Sequence, residues 1–278
     1  MTFKHLMLLL ACFLFASVGG AADQADPVTT RIRIGGSGGP LEGMRLLGEA
    51  FKKIHPKTTV VIVPSLGSGG GIKALRAEAI DLAVTSRPLK EAERSPDLVA
   101  TSYARTPFVF ATALHGNLST ITTAELVAIY AGERKTWPDG RTLRLVLRPE
   151  TESDTAIVKS LSPEMSQAVK AALERDGMIV AVVDKANADK LESIPGAIGA
   201  TTLAQIITEK RALQPLVLNG VPPSLAALAE GKYPHYKTFF MVTGPRSSAL
   251  THQFTEFVRS TAGREILEKN GHLMVVVK

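Results

Sequence analysis

Cysteine is almost missing from this 278-residue chain: its single copy, Cys12, lies in an apolar N-terminal run. The body of the chain therefore has no disulfide, no thiol nucleophile and no cysteine-metal site, and its stability must come from a packed core. Aromatic residues are scarce, at 5%, and basic residues are interspersed with acidic ones, as in Glu91-Ala92-Glu93-Arg94. A nucleic-acid interface needs a basic stripe with stacking aromatics, so nucleic acid is excluded as a partner. No segment after the N-terminal run is apolar for long enough to span a bilayer. His55, His115, His235, His252 and His272 are widely spread, with no HExxH or other metal-ligand spacing, and read as loop or surface residues. Neither a Gly-x-Ser-x-Gly elbow nor a Ser-x-x-Lys motif occurs. No enzyme activity, cofactor or metal is expected.

What is present begins with an export signal. Lys4 and His5 precede an apolar run from Leu6 to Val18, then Gly19-Gly20-Ala21-Ala22 and polar Asp23. Small residues before a polar start fit cleavage after Ala22, which predicts a signal peptide over 1–22 and a periplasmic protein. Leu9-Leu10-Ala11-Cys12 loosely matches a lipoprotein box, but Leu10 is bulky and the apolar run continues through Phe15. Lipidation at Cys12 is the alternative reading. The net charge is +6. Lys4 leaves with the signal, so 6 − 1 gives +5 for the mature chain. A positive balance favours anionic solutes, although ordinary surface charge accounts for it equally well.

The informative segments are loops of glycine and hydroxyl residues. Val60-Val61-Ile62-Val63 enters Pro64-Ser65-Leu66-Gly67-Ser68-Gly69-Gly70-Gly71, and Ile72 to Ala79 leaves as a helix. Ile32-Arg33-Ile34 enters Gly35-Gly36-Ser37-Gly38-Gly39-Pro40 in the same way, and Arg148 precedes Ser153-Asp154-Thr155. Uncovered backbone N–H groups at a helix N-terminus, with the helix dipole, favour an anion. A P-loop is excluded because Ile72 separates Gly71 from Lys73 and Ala74 follows. The dinucleotide fingerprint fails because Leu41 and Ile72 stand where its third glycine is needed. Tight βα turns alone account for one such loop; three of one design point to a small anion.

Strand-like and helix-like segments alternate, which predicts an α/β fold. Strands are expected at Arg31–Ile34, Thr58–Val63, Ile80–Val84, Thr142–Leu147, Leu213–Leu218 and Thr238–Val242. Helices are expected from Pro40 to Ile54, where Leu41, Met44, Leu47 and Phe51 recur at helical spacing. Further helices are expected at Thr123–Tyr130, Thr155–Leu161, Pro163–Glu174, Leu250–Arg259 and Gly263–Asn270. Thr122 and Glu125 have capping-box spacing. Tyr103–Leu114 is a long apolar stretch able to carry the chain between lobes. Ile179–Val183 reads equally as helix or strand. Trp137-Pro138-Asp139-Gly140 is a turn with an anchoring aromatic. Ligands of open α/β sheets lie at the carboxyl ends of strands, where all three loops fall.

At Gly36-Ser37-Gly38-Gly39-Pro40, Gly67-Ser68-Gly69-Gly70-Gly71-Ile72-Lys73 and Ser86-Arg87-Pro88-Leu89 the chain resembles the PstS-like phosphate-binding periplasmic proteins of ABC importers. Gly196-Ala197-Ile198-Gly199, Asn219-Gly220-Val221-Pro222 and Gly231-Lys232-Tyr233-Pro234 extend the resemblance over most of the mature chain. It implies a two-lobed type II periplasmic binding protein with a central cleft and hinge. Residues 23–107 and 237–278 would form lobe I and 108–236 lobe II. It also implies a monomer that captures phosphate or a related oxyanion and hands it to an ABC permease.

By position, the family's ligand loops fall on Gly38, Gly39, Ser68, Ser86, Arg148, Ser153, Asp154 and Thr155. Gly38 and Gly39 would offer N–H groups, and Ser68, Ser153 and Thr155 hydroxyls. Arg148 would supply the only full positive charge, as a fork matched to two oxygens. Three departures stand out. Ser86 replaces an acidic residue that accepts the proton of hydrogen phosphate. Gly38-Gly39 replaces a hydroxyl and an aromatic residue. Asp154 replaces the glycine of a Ser-Gly-Thr triplet, where it would repel phosphate within about 4 Å or simply sit in a helix first turn, where negative charge is favoured. The alternative function is a retuned or degenerate cleft serving as a periplasmic sensor or protein-interaction module.

Overall fold

Alternating strands and helices build one large mixed sheet with a core at each end, beside a small two-stranded sheet. The computed structural model describes residues 30–113 and 119–275; the expected signal peptide over 1–22, its expected cleavage site and Cys12 lie outside them. In chain order, β1 (Thr30–Gly36), α1 (Gly38–Ile54), β2 (Thr58–Ile62), α2 (Gly67–Arg76), β3 (Leu82–Thr85) and the long β4 (Val99–Ala113) come first. β5 (Thr120–Ile121), α3 (Thr123–Ala131), β6 (Arg144–Leu147), α4 (Ser153–Lys159), α5 (Pro163–Glu174), β7 (Ile179–Val180) and α6 (Asp184–Ser193) follow. Then come β8 (Ala197–Thr202), α7 (Leu203–Thr208), β9 (Leu213–Pro215), β10 (Val217–Leu218) and α8 (Leu225–Ala229). The chain closes with β11 (Tyr236–Thr243), α9 (Ala249–Arg259), α10 (Thr261–Lys269) and β12 (Leu273–Met274). Among the described residues, no helix is long and apolar enough to cross a membrane.

The sheet runs β2-β1-β3-β11-β4-β8-β6-β7, with β9 and β12 also pairing with β4. β4 serves both ends. Val99–Pro107 pairs antiparallel with β11, and Phe108–Ala111 pairs antiparallel with β8. Where the two halves meet, the Phe108 N–H donates to His235 O at 3.0 Å and the Tyr233 hydroxyl to Phe108 O at 2.8 Å. One core gathers Ile32, Ile34, Met44, Leu47, Phe51, Tyr103, Phe239 and Phe254. Another gathers Phe108, Phe110, Leu126, Trp137, Leu147, Met165, Ile198 and Tyr233. This is the two-lobed α/β architecture.

Local chemistry explains the elements that position the cleft. α1 buries Leu41, Met44, Leu47 and Phe51 along one face and ends on Lys52 and Lys53, which suit its negative end. α3 has the expected capping box: the Glu125 N–H donates to Thr122 Oγ1 and the Thr122 N–H to Glu125 Oε2. Trp137 is anchored by its indole N–H on Gly196 O at 3.0 Å. α2 differs from expectation, starting at Gly67 inside the glycine run and ending at Arg76. A Cβ at Gly71 would stand 2.6 Å from Gly36 Cα, so the glycine run forms helical turns whose Gly71 presses against the end of β1. Ile179–Val183, open to two readings, forms the short strand β7 and then leads into α6. Parallel pairing of Val146 with Ile179 and Leu147 with Val180 selects the strand. His272 is not a surface residue. It lies in a loop but is fully buried, packed near Gly43 of α1 and Phe239 of β11.

Candidate anion-binding cleft

Strand ends and helix starts bring the candidate residues into two clusters. The first belongs to β1, β3 and α2. Ser37 and Ser86 place their hydroxyl oxygens 2.6 Å apart, both buried, and the Ser86 N–H donates to Ser68 Oγ at 3.2 Å. Ser68 is half-buried. Ser37 precedes α1 with extended backbone and makes no side-chain cap. The first N–H groups of α1 are thus left for another acceptor.

The second cluster centres on Arg148, at the carboxyl end of β6. Its guanidinium donates from Nε to Asp154 Oδ2 at 3.1 Å, from Nη1 to Ala181 O at 2.6 Å and from Nη2 to Asp184 Oδ1 at 3.1 Å. Glu152 Oε2 stands 3.5 Å from Nη2. Side-chain exposure is 4% for Arg148, 3% for Asp154 and 10% for Asp184. The expectation that Arg148 supplies the only positive charge is corrected by Lys237 of β11, equally buried, whose ammonium pairs with Asp154 Oδ1. Strand alternation sets Lys237 on the buried face with Phe239 and Met241, but nothing local in the sequence shows that it meets a carboxylate there. Asp154 is buried in the first turn of α4, between two cations, so its charge is neutralised locally.

Asp184 joins the two clusters. Its Oδ2 accepts the Gly39 N–H at 3.0 Å, at the start of α1. Burial raises its carboxyl pKa, but Lys237, Arg148 and the Gly39 and Gly38 amides outweigh that and hold it below the usual carboxylate range. Burial raises the Glu152 carboxyl, with Arg148 opposing and Asp184 and Asp154 reinforcing the rise. Asp184 was missed in the sequence because Val183-Asp184-Lys185 carries no motif and the residue lies 145 positions from Gly39.

The remaining candidates sit at the edges of this arrangement. The Thr155 hydroxyl is directed to backbone carbonyls, Arg148 O at 3.1 Å and Pro149 O at 2.8 Å. It braces the loop that carries Arg148. Ser153 is half-buried at the start of α4, and no hydrogen bond joins its hydroxyl to Gly38, Gly39, Ser68 or Ser86 among the described residues. Chemically, the cleft holds two cations and the amides of a long helix facing the carboxylates of Asp154 and Asp184, with Glu152 beside them, an arrangement suited to exchanging one anion for another. Among the described residues, no group of three or more His, Cys, Asp or Glu is placed to hold a metal ion.

Fold and cleft together define a solute-binding architecture, and the chain belongs to the PBP superfamily, whose domain model matches residues 21–262. Among its relatives, the phosphate-binding protein PstS of Borreliella burgdorferi is 25% identical over 235 residues, covering 80% of this chain and 82% of that protein. A phosphate ABC transporter substrate-binding protein from Clostridium perfringens, solved with bound phosphate, superposes with a TM-score of 0.75 at 18% identity, over 89% of this chain and 100% of that one. An ABC-type phosphate transport receptor from Vibrio cholerae gives a TM-score of 0.60 at 20% identity, over 88% and 100%. These likenesses establish the shared fold.

Proposed function

We propose that the protein is an exported, two-lobed solute-binding subunit that captures phosphate or a related oxyanion and delivers it to an ABC permease. One observation carries the reading: the buried Arg148 fork faces the N-terminus of the 17-residue α1, with only a carboxylate between them. An oxyanion in that place would take the Gly38 and Gly39 amides and Arg148, with Lys237 as a second cation. Ser68, Ser86, Ser153 and Thr155 would line the seat, and Asp154 would hold the two cations in register. The lobes would divide at 107/108 and 236/237, with the hinge where β4 and β11 cross. Removal of residues 1–22 and a monomeric mature form belong to the same reading, as do the phosphate-binding roles carried by the names of the relatives.

Calorimetric titration tests it. The mature chain, refolded to strip bound ligand, is titrated with phosphate, sulfate, arsenate and molybdate at pH 7 and 8.5. Saturable binding of at least one oxyanion is expected, weakened at least tenfold by Arg148→Lys, which keeps the charge but loses the fork. Failure to bind any of the four would end the proposal. A second reading, a sensor or protein-interaction module on the same fold, is favoured by one feature: the donors of the seat are already engaged by Asp184 and Asp154.

A further inference from the structure

We infer that Asp184 is an internal occupant of the anion seat, a carboxylate that competes with the incoming oxyanion and latches the two lobes together without it. The inference rests on the solute-binding reading for its ligand and on geometry for its latch. The two Asp184 oxygens divide between the two halves of the seat, Oδ2 on the Gly39 amide at 3.0 Å and Oδ1 on Arg148 at 3.1 Å. A bound oxyanion would use the same donors.

Gly38 fits this role closely. A Cβ there would lie 2.7 Å from Asp184 Oδ2 and 2.9 Å from Asp184 Cβ. A side chain at 38 and the carboxylate of 184 cannot share the space, so the bare glycine at 38 is what admits the Asp184 carboxylate to the start of α1. Lys237 on β11, paired with Asp154 on α4, ties the same two halves of the cleft a second time.

The consequence is an affinity set by exchange. A ligand enters when Asp184 leaves its donors, and its apparent affinity is its intrinsic affinity scaled by the fraction of molecules in which Asp184 is out. Asp184 is then a specificity-determining residue: weakly held or singly charged anions fail to displace it, and a tetrahedral anion that engages both donors succeeds.

The test measures phosphate binding and lobe closure in the same proteins. Asp184→Asn, which keeps the shape and removes the charge, is expected to tighten phosphate binding at least tenfold by calorimetry. By small-angle scattering, the unliganded variant should show a larger radius of gyration than the wild type, with cooperative melting retained, and should contract on adding phosphate. Gly38→Ala supplies a second arm. It should loosen the unliganded wild-type form and have little effect in an Asp184→Ala background, because its action runs through that carboxylate. Equal or weaker phosphate binding by Asp184→Asn overturns the competition. If neither protein binds any oxyanion, the solute-binding reading fails and scattering decides the latch alone. An expanded Asp184→Asn then upholds it, and an unchanged radius of gyration overturns it.

Discussion

Arg148→Met keeps most of the apolar stem of this side chain and removes the guanidinium. Three partners lose their donor: Asp154 and Asp184, each at 3.1 Å, and the Ala181 carbonyl at 2.6 Å. Breaking a buried ion pair by removing one partner costs about 3–5 kcal/mol, and an orphaned carbonyl adds about 1 kcal/mol. Lys237 still neutralises Asp154, and the Gly39 amide still serves Asp184, which keeps the sum toward the low end, about 4 kcal/mol. At roughly 2–4 °C per kcal/mol for a chain of this size, the melting midpoint at pH 7 should fall by about 8–16 °C.

The deficit should depend on pH. The folded Asp184 carboxyl is held below its ordinary value, so the stability it contributes is fully present above the unfolded pKa of about 4 and is lost as pH falls through the lower folded value. In the variant Asp184 protonates more readily, which relieves its unpaired burial, so the gap to the wild type should narrow as pH falls from 7 toward 3. Calorimetric melting of both proteins across that range is the assay. A variant within about 1 kcal/mol of the wild type at pH 7, or a gap constant with pH, would refute the assignment of Arg148 as the central partner of these carboxylates.

Two further outcomes follow from particular residues. Burial depresses the His272 pKa to about 4, against an ordinary value of about 6.5, so the unfolded chain takes up a proton that the folded chain refuses. Stability should therefore decline by about 3 kcal/mol between pH 6.5 and pH 4 from this residue alone. Denaturant unfolding of His272→Leu should show a flatter pH profile; profiles parallel to the wild type would contradict it. Gly71→Ala adds a methyl 2.6 Å from Gly36 Cα, where neither backbone can rotate away. A net loss of about 1–3 kcal/mol is expected, despite a helix-propensity gain of about 1 kcal/mol. A raised melting midpoint would show that α2 shifts freely against β1.

Much of the fold was legible where a pattern is local. Leu41, Met44, Leu47 and Phe51 announce α1 by their spacing, and Thr122 with Glu125 announces the start of α3 by reciprocal capping. The placement of Arg148 and the glycine loops at strand ends was also readable, because a strand followed by a Gly/Ser loop and a helix is a contiguous signal. The start of α2 inside the glycine run was not, since low helix propensity argues against it. Only the approach of Gly71 to Gly36 shows why position 71 must lack a side chain.

The alternation of strands and helices, the apolar faces that make the cores and the segments able to meet an anion can be read locally, because these depend on neighbours within a few turns of chain. Tertiary structure decided what occupies the meeting point. Asp184 lies 145 residues from Gly39 and 36 from Arg148, and Lys237 reaches Asp154 only because β11 returns beside β4. The pairing of such charged residues carries no local signal. Their partners are chosen by the sheet order, and buried charge must be matched wherever the fold happens to bring it together.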